Sequence, residues 1–166
     1  KAIQLAEELG LVYWLPNPAE EGYDDELERI LDGAGCTVIR IPVEASGLTI
    51  SDLYAASDLV LFPSLWEGFG NPPIEAALHR RPVVVGNYPV ADELRALGFQ
   101  WFDPDDADTI QKALTETPIE MLDNNQRIAR AHLSVDRMSS EVSPPSRKII
   151  PKLRSEADLS AKRPPK

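Results

Sequence analysis

The chain has 166 residues, of which 43% are apolar and 27% charged, and its formal net charge at pH 7 is −10. This length suits one globular domain, and the lone cysteine, Cys36, excludes an intrachain disulfide. No apolar run approaches the roughly 20 residues of a membrane span, and the first residues lack a secretory pattern, so we expect a cytoplasmic location.

Charge is distributed unevenly along the chain. Residues 1–135 carry 9 Lys and Arg against 23 Asp and Glu, whereas residues 136–166 carry 8 against 4. The acidic first part repels polyanions, which argues against nucleic acid as a partner. Residues 138–166 are basic, rich in proline and without periodicity, so we expect a disordered tail after a domain that spans 1–137.

Helical patterns alternate with short apolar runs along residues 1–135. The runs that predict strands lie at 11–16, 37–43, 58–64, 82–88 and 99–102. The helical patterns lie at 1–10, from Asp24, and at 49–58, 72–81, 90–98, 103–117 and 118–133. Ser51 is the predicted cap of the helix at 49–58, and Asp103 and Asp105 are the predicted caps of the helix at 103–117.

This alternation indicates the fold class. Nearly continuous apolar strands, each separated from the next by a helix, predict a parallel sheet that is covered on both faces. The predicted fold is therefore α/β, a doubly wound, Rossmann-like domain. Such domains usually open with a strand, whereas this pattern opens with a helix, so we expect a first strand upstream of Lys1.

The segment WEGFGNPPIEA (66–76) follows the third predicted strand. In open parallel sheets, ligands bind beyond the carboxyl ends of the strands. Gly68 and Gly70 permit positive φ and close approach of the backbone to a ligand. The N–H groups of Phe69, Gly70 and Asn71 are therefore expected to converge on an anion at the start of the next helix, where the two prolines suit the first helical positions.

Two glutamates flank this turn. Asn71 is the predicted N-cap, which places Glu75 at about the fourth helical position, while Glu67 precedes the turn on the same edge of the sheet. Because carboxylates accept hydrogen bonds from the vicinal hydroxyls of a sugar or a ribose, the combination predicts a sugar-nucleotide site. Taken singly, each acid also suits a structural role, Glu75 in a first helical turn and Glu67 as a loop cap.

The segment SDLYAASDLVLFPSLWEGFGNPPIEAALHRRPVVVGNYPVADELRALGFQWFDPDDADTI (51–110) resembles the C-terminal, donor-binding domain of group 1 (family 4) retaining glycosyltransferases of GT-B fold. The resemblance rests on the E-x7-E element formed by Glu67 and Glu75 around the Gly-Phe-Gly turn. A P-V-V strand, a proline–acid loop and P-D-D follow at the family's positions. It extends over roughly residues 2–135.

The resemblance implies transfer of a hexosyl group from a nucleoside diphosphate sugar, with retention and without a metal or another cofactor. Glu67 is implied to be the catalytic residue, in contact with the transferred sugar near its anomeric centre. Glu75 is implied to bind the ribose hydroxyls. The loop from Gly68 to Asn71 is implied to approach the sugar and the diphosphate.

The resemblance also suggests more peripheral contacts. Pro42 and Val43 are implied to border the base through their backbone. Asn87 and Glu93 are implied to lie in a loop near the cleft, although a helix-start role is an equal alternative for them.

Several family features have no counterpart in this sequence. An Arg and a Lys that contact the diphosphate belong to a segment that would precede residue 1, and Lys1 matches that lysine only if the spacing is short. Arg80 and Arg81 lie at the far end of their helix and are expected to be surface residues. The family's N-terminal, acceptor-binding domain is also missing, so this chain alone is expected to bind donor weakly and to be inactive.

Other residues that could bind a metal or act in catalysis are expected to have structural roles. The DPD motif at 103–105 also matches a metal-binding motif of the other major glycosyltransferase fold, but helix capping is preferred and no metal is expected. His79 and His132 lie on helices away from the turn and have no neighbours that would make a metal site or a catalytic triad. Cys36 is expected to be a core residue.

Three alternatives stay open. The chain could belong to a GT-B-fold sugar-nucleotide epimerase, or it could be a nucleotide-sugar-binding or interaction module without catalysis. The basic tail segment PSRKIIPKLR (145–154) would suit a weak contact with acidic lipid, which would add peripheral membrane attachment, although a solvated tail is preferred.

Overall fold

The computed structural model describes residues 1–16 and 22–132, which form eight helices and four strands. The helices are α1 (Ala2–Glu8), α2 (Asp24–Asp32), α3 (Val43–Ser46), α4 (Ile50–Ala56), α5 (Asn71–Leu78), α6 (Pro89–Ala96), α7 (Ala107–Thr115) and α8 (Ile119–His132). The strands are β1 (Tyr13–Leu15), β2 (Val38–Arg40), β3 (Val60–Phe62) and β4 (Val83–Val85). The tail predicted at 138–166, with its suggested membrane contact, lies outside the described residues.

The strands form two parallel pairs. In the first pair, Trp14 of β1 is in register with Ile39 of β2. In the second, Leu61 of β3 is in register with Val84 of β4, and Val84 also forms a single parallel bridge to Phe102. The α/β class with parallel strands is thereby confirmed, and within the described residues the two pairs are separate two-stranded sheets.

All five predicted strands are shorter than the apolar pattern indicates, and for two of them the structure shows a specific cause. The strand expected at 37–43 ends at Arg40, because the chain turns at Pro42 into helix α3. The segment expected at 99–102 contributes only the bridge at Phe102. The reason is that the N–H and the carbonyl of Gln100 both bond to the side chain of Asn125, at 2.9 and 2.5 Å, instead of to a neighbouring strand.

The core surrounds β4, whose three valines are completely buried. One face, through Val84, packs against residues of α1 and α7, namely Leu5, Ile110 and Ala113. The other face, through Val83 and Val85, packs against residues of α5 and α6 and the loop before α6, namely Ala76, Ala91 and Tyr88. Helices therefore cover β4 on both sides, as a doubly wound fold requires.

The N-cap of helix α4 lies two residues earlier than predicted. It is Thr49 rather than Ser51, and Thr49 forms a capping box with Asp52.

Helix α7 is capped by Asp106, whose carboxylate accepts from the Thr109 N–H at 3.0 Å, whereas the Asp103 carboxylate accepts from the Asp105 N–H. The predictions that Ser51, Asp103 and Asp105 are caps are therefore wrong, because Thr49 and Asp106 supply the side chains that accept from the free N–H groups at these two helix starts.

Thr49→Ala is expected to destabilise the fold by about 1 kcal/mol near neutral pH, because it removes one half of the capping box. The Thr49 hydroxyl and N–H also donate to Asp52 and lower the pKa of that carboxyl. A lowered pKa stabilises the fold above the unfolded-state value, and this contribution is lost as pH falls through the folded-state value.

Thermal denaturation of the wild type and the variant at neutral and at strongly acidic pH measures this effect. The difference in stability between them should shrink in acid. Ser51→Ala is the control, since it leaves the capping box intact. A loss for Ser51→Ala as large as that for Thr49→Ala would contradict the assignment.

Candidate functional site

The turn between β3 and α5 lies at the carboxyl end of β3. Gly70 is the N-cap of α5 and adopts the left-handed conformation, with φ 77° and ψ 76°. The predicted cap, Asn71, is instead the first helical residue, because the left-handed glycine starts the helix one position earlier. Glu75 consequently lies fifth in the helix, beyond its first turn, which corrects the predicted fourth position.

Gly68, Phe69 and Asn71 are exposed in this turn, whereas Gly70 is buried. Within residues 1–16 and 22–132, no hydrogen bond uses the N–H groups of Gly68, Phe69, Gly70 or Asn71. A methyl group added at Gly68 would meet no atom within 4 Å, and the Trp66 side chain is 81% exposed. Free N–H groups at a helix start favour an anion, so the geometry supports the predicted anion-binding role without testing it.

The inner side of the turn packs against two aromatic rings. A Cβ at Gly70 would lie 2.5 Å from the Tyr88 hydroxyl and 3.2 Å from the ring of Phe62. These rings meet edge to face, with centroids 6.3 Å apart. Glycine is therefore required at position 70 both by the positive φ and by the lack of space.

Glu67 and Tyr88 interact electrostatically. Tyr88 is 2% exposed, and Glu67 is half-buried. Burial, followed by the negative charge of Glu67, raises the pKa of the Tyr88 phenol, while the charge of Arg95 opposes this shift. The phenol therefore stays protonated and remains a hydrogen-bond donor at neutral pH.

Glu75 interacts electrostatically with a second tyrosine. Burial, followed by the interaction with Glu75, raises the pKa of the Tyr54 phenol above its ordinary value of 10.0. The Tyr54 ring stacks on His79 with centroids 5.6 Å apart, and His79 Nε2 lies 3.1 Å from Ser51 Oγ. Tyr54 therefore lies near the carboxylate that was predicted to bind ribose.

The two acids border one hydrophobic cluster. Tyr88 belongs to the buried cluster on the α5 and α6 side of β4, and Tyr54 packs against the same cluster. Because Glu67 interacts with Tyr88 and Glu75 with Tyr54, both carboxylates lie near this cluster. That the two acids serve one site stays a prediction.

The other predicted contact residues belong to other elements of the fold. Pro42 and Val43 begin α3, after a strand of the other parallel pair. Asn87 is exposed after β4, and Glu93 is exposed in the second turn of α6. Among the described residues, no hydrogen bond or ion pair joins any of these four side chains to Glu67 or Glu75, and their roles remain predictions.

Gly86 brings the ends of β3 and β4 together. A Cβ there would lie 2.9 Å from the carbonyl carbons of Pro63 and Ser64, and closer still to the Ser64 oxygen. The Gly86 N–H donates to the Phe62 carbonyl at 3.0 Å. This glycine was not singled out in the sequence, although glycine directly after a buried strand is a signal for close backbone approach.

The cations considered in the sequence are engaged elsewhere. Lys1 Nζ pairs with Asp105 at 2.6 Å, and Arg80 pairs with Asp123 at 2.5 Å. Arg81, which is half-buried rather than fully on the surface, donates to the Ala55 carbonyl. Arg95, which the sequence analysis did not consider, lies over the ring of Trp101, 5.7 Å from its centroid.

Within the described part of the chain, no group of three or more His, Cys, Asp or Glu side chains is arranged to hold a metal ion. Over the same residues, no helix is long and apolar enough to cross a bilayer. Cys36 is a half-buried free thiol.

The chain is similar to a known protein family. The family model of glycosyl transferases group 1 matches residues 22–131, which include the turn, both acids and both tyrosines. No solved structure matches the chain.

Several curated relatives match parts of the chain. The O-antigen chain mannosyltransferase RfbU of Salmonella typhimurium is 38% identical over 71 residues, which is 43% of this chain and 20% of the relative. The mannosylglucosylglycerate synthase of Petrotoga mobilis is 42% identical over 50 residues, 30% of this chain and 12% of the relative.

The mannosylglucosylglycerate synthase of Thermotoga maritima is 24% identical over 156 residues, 80% of this chain and 36% of the relative. The chain thus spans about a third or less of the length of these relatives. None of the three is named as an epimerase, so they give that alternative no support. On the family match over most of its described length, the chain belongs to the glycosyl transferases group 1.

Proposed function

We propose that this chain is the donor-binding domain of a retaining glycosyltransferase and that its ligand is a nucleoside diphosphate sugar. The observation that carries the proposal is the row of free N–H groups from Gly68 to Asn71, flanked by the carboxylates of Glu67 and Glu75. The amides suit the diphosphate, and the carboxylates suit hydroxyl groups.

The proposed ligand is a mannosyl nucleotide. RfbU is named as a mannosyltransferase, and the two synthases are named for a mannosyl product. Glu75, which lies near Tyr54, binds the ribose hydroxyls in this scheme, while Glu67 faces the hexose. The nucleotide base is left open by these contacts.

The chemistry proposed for the complete enzyme is departure of the diphosphate and transfer to an acceptor with retention, without a metal. Preorganised N–H donors stabilise the leaving group, at about 3 kcal/mol for each effective donor. Glu67 positions the sugar and supports the positive charge that develops at its ring.

The complete enzyme needs parts beyond those in the described residues. In the usual doubly wound order, 3-2-1-4-5, the first strand lies between the second and the fourth. If β1 and β2 are the second and third strands, and β3 and β4 the fourth and fifth, a further strand fits between the two pairs. We infer that this strand, the diphosphate-binding Arg and Lys, and an acceptor-binding domain come from a longer chain, and that the present chain alone is inactive.

Two further expectations remain proposals. One is a cytoplasmic location with a weak contact between the basic tail and acidic lipid. A non-catalytic binding module is the remaining rival, since it would bind the same ligand without turnover.

Binding of GDP-mannose to the 166-residue chain, followed by NMR titration to millimolar ligand, tests the proposal. We expect weak, saturable binding that Glu75→Gln reduces about tenfold, because a ribose hydroxyl loses a charged acceptor. Glu120→Gln, which changes an exposed acid in the first turn of α8, is the matched control. Equal binding by wild type and Glu75→Gln would contradict the proposed ribose site. Titration with UDP-glucose, which differs from GDP-mannose in both the base and the sugar, measures whether the site prefers the mannosyl nucleotide.

A further inference from the structure

We propose that Tyr88 is a positioning residue for Glu67, and that its buried hydroxyl donates to the Glu67 carboxylate once a nucleoside diphosphate sugar occupies the turn. This inference rests on the proposed function. It adds a residue to which neither the sequence pattern nor the family match assigns a role.

The starting observation is a buried donor without a partner. Tyr88 is 2% exposed, and among the described residues its hydroxyl makes no hydrogen bond. A buried hydroxyl that lacks a partner costs on the order of 1–3 kcal/mol. A phenylalanine would fill the same space without that cost, so apolar packing alone does not account for a tyrosine at this position.

The hydroxyl lies directly beneath the turn. It would be 2.5 Å from a Cβ at Gly70, the residue that sets the start of α5. The charged groups whose fields act on the phenol are Glu67 and Arg95, and Arg95 is itself paired with Asp92 at 2.9 Å. Of these, Glu67 carries the acceptor oxygens, and it is the acid next to the proposed sugar site.

Ligand binding supplies a reason for the bond to form. In the free protein, the half-buried Glu67 keeps contact with water. A sugar nucleotide bound over the turn would displace that water, and the carboxylate would then need a replacement donor. Tyr88 is neutral and close by, so it provides a donor from the inner side of the turn while the ligand occupies the outer side.

Tyr88→Phe tests this arrangement through the titration of Glu67, followed by the ¹³C signal of its carboxyl carbon. In the chain saturated with GDP-mannose, the variant should titrate about one pH unit higher than the wild type, because a hydrogen bond to the ionised form has been lost. In the free chain, the two should titrate alike. The melting temperature of the variant should equal or exceed that of the wild type, since an unpaired hydroxyl has been removed.

Tyr13→Phe is the control, because Tyr13 is a half-buried tyrosine of β1 that is not part of the turn. It should leave both Glu67 titrations unchanged. In the complete enzyme, Tyr88→Phe should lower kcat about tenfold and leave KM within about threefold, as expected for a residue that acts through Glu67.

The possible failures are distinguishable. If the wild type binds GDP-mannose but Tyr88→Phe leaves the titration of bound Glu67 unchanged, the role of Tyr88 is wrong and the proposed function stands. A lower melting temperature with unchanged titrations would assign Tyr88 to packing alone. If the wild type shows no saturable binding to any nucleoside diphosphate sugar, the proposed function fails first and this inference fails with it.

Discussion

In the complete enzyme that contains this domain, Glu67→Gln is expected to lower kcat by about 10²- to 10³-fold and to change the donor dissociation constant by less than about threefold. Glu67 lies at the turn beside Tyr88, where its charge would face the reacting end of the sugar. A charge that meets the positive ring only in the transition state contributes to turnover rather than to ground-state binding.

Steady-state kinetics together with equilibrium binding of the donor separates these two quantities. Glu75→Gln provides the contrast. Glu75 is proposed to bind ribose equally in the ground state and in the transition state, so its substitution should mainly lower the affinity for the donor. Equal losses of turnover and affinity in Glu67→Gln would argue against the role proposed for Glu67.

Gly86→Ala is expected to have the largest effect on stability, a loss of about 3 kcal/mol. The added Cβ would collide with the backbone of Pro63 and Ser64, and backbone atoms at the ends of two paired strands cannot move aside as a flexible side chain can. For a domain of this size, the melting temperature should fall by about 6–12 °C.

Gly68→Ala is the matched control for this substitution. Position 68 has open space around the site of a Cβ and no positive φ, so the change in stability should stay within about 0.5 kcal/mol. Thermal or urea denaturation of the two variants and the wild type measures the contrast. A Gly86→Ala variant as stable as Gly68→Ala would show that the two strand ends are not in contact.

The periodicity of apolar residues predicted where the helices and strands lie, because buried positions recur at a fixed spacing in each kind of element. Helix α2 begins at Asp24 and β4 occupies the run of valines, as predicted. The pattern failed where side-chain hydrogen bonds compete with the backbone. Asn125 takes both backbone groups of Gln100, and a sequence pattern does not show that a distant asparagine will do so.

The turn was predictable from its glycines, but the tyrosines near its two acids were not. Glycines between two glutamates after a buried strand predict a ligand turn, and the structure places this turn between β3 and α5, while the roles of Glu67 and Glu75 stay predictions. The start of α5 was misplaced by one residue, because both Gly70 and Asn71 suit a helix cap and packing against Tyr88 favours the glycine. Tyr54 and Tyr88 were missed because they come from other elements and meet the acids only in the fold.

The central claim is that the N–H groups from Gly68 to Asn71 hold the diphosphate of a sugar nucleotide. The most direct measurement is a ¹H–¹⁵N spectrum of the labelled 166-residue chain during titration with GDP-mannose. The account predicts that the amide signals of Gly68, Phe69, Gly70 and Asn71 shift farthest and that GDP shifts them more than mannose does. Large shifts confined to β1, β2 and α3, with those four signals unmoved, would contradict it.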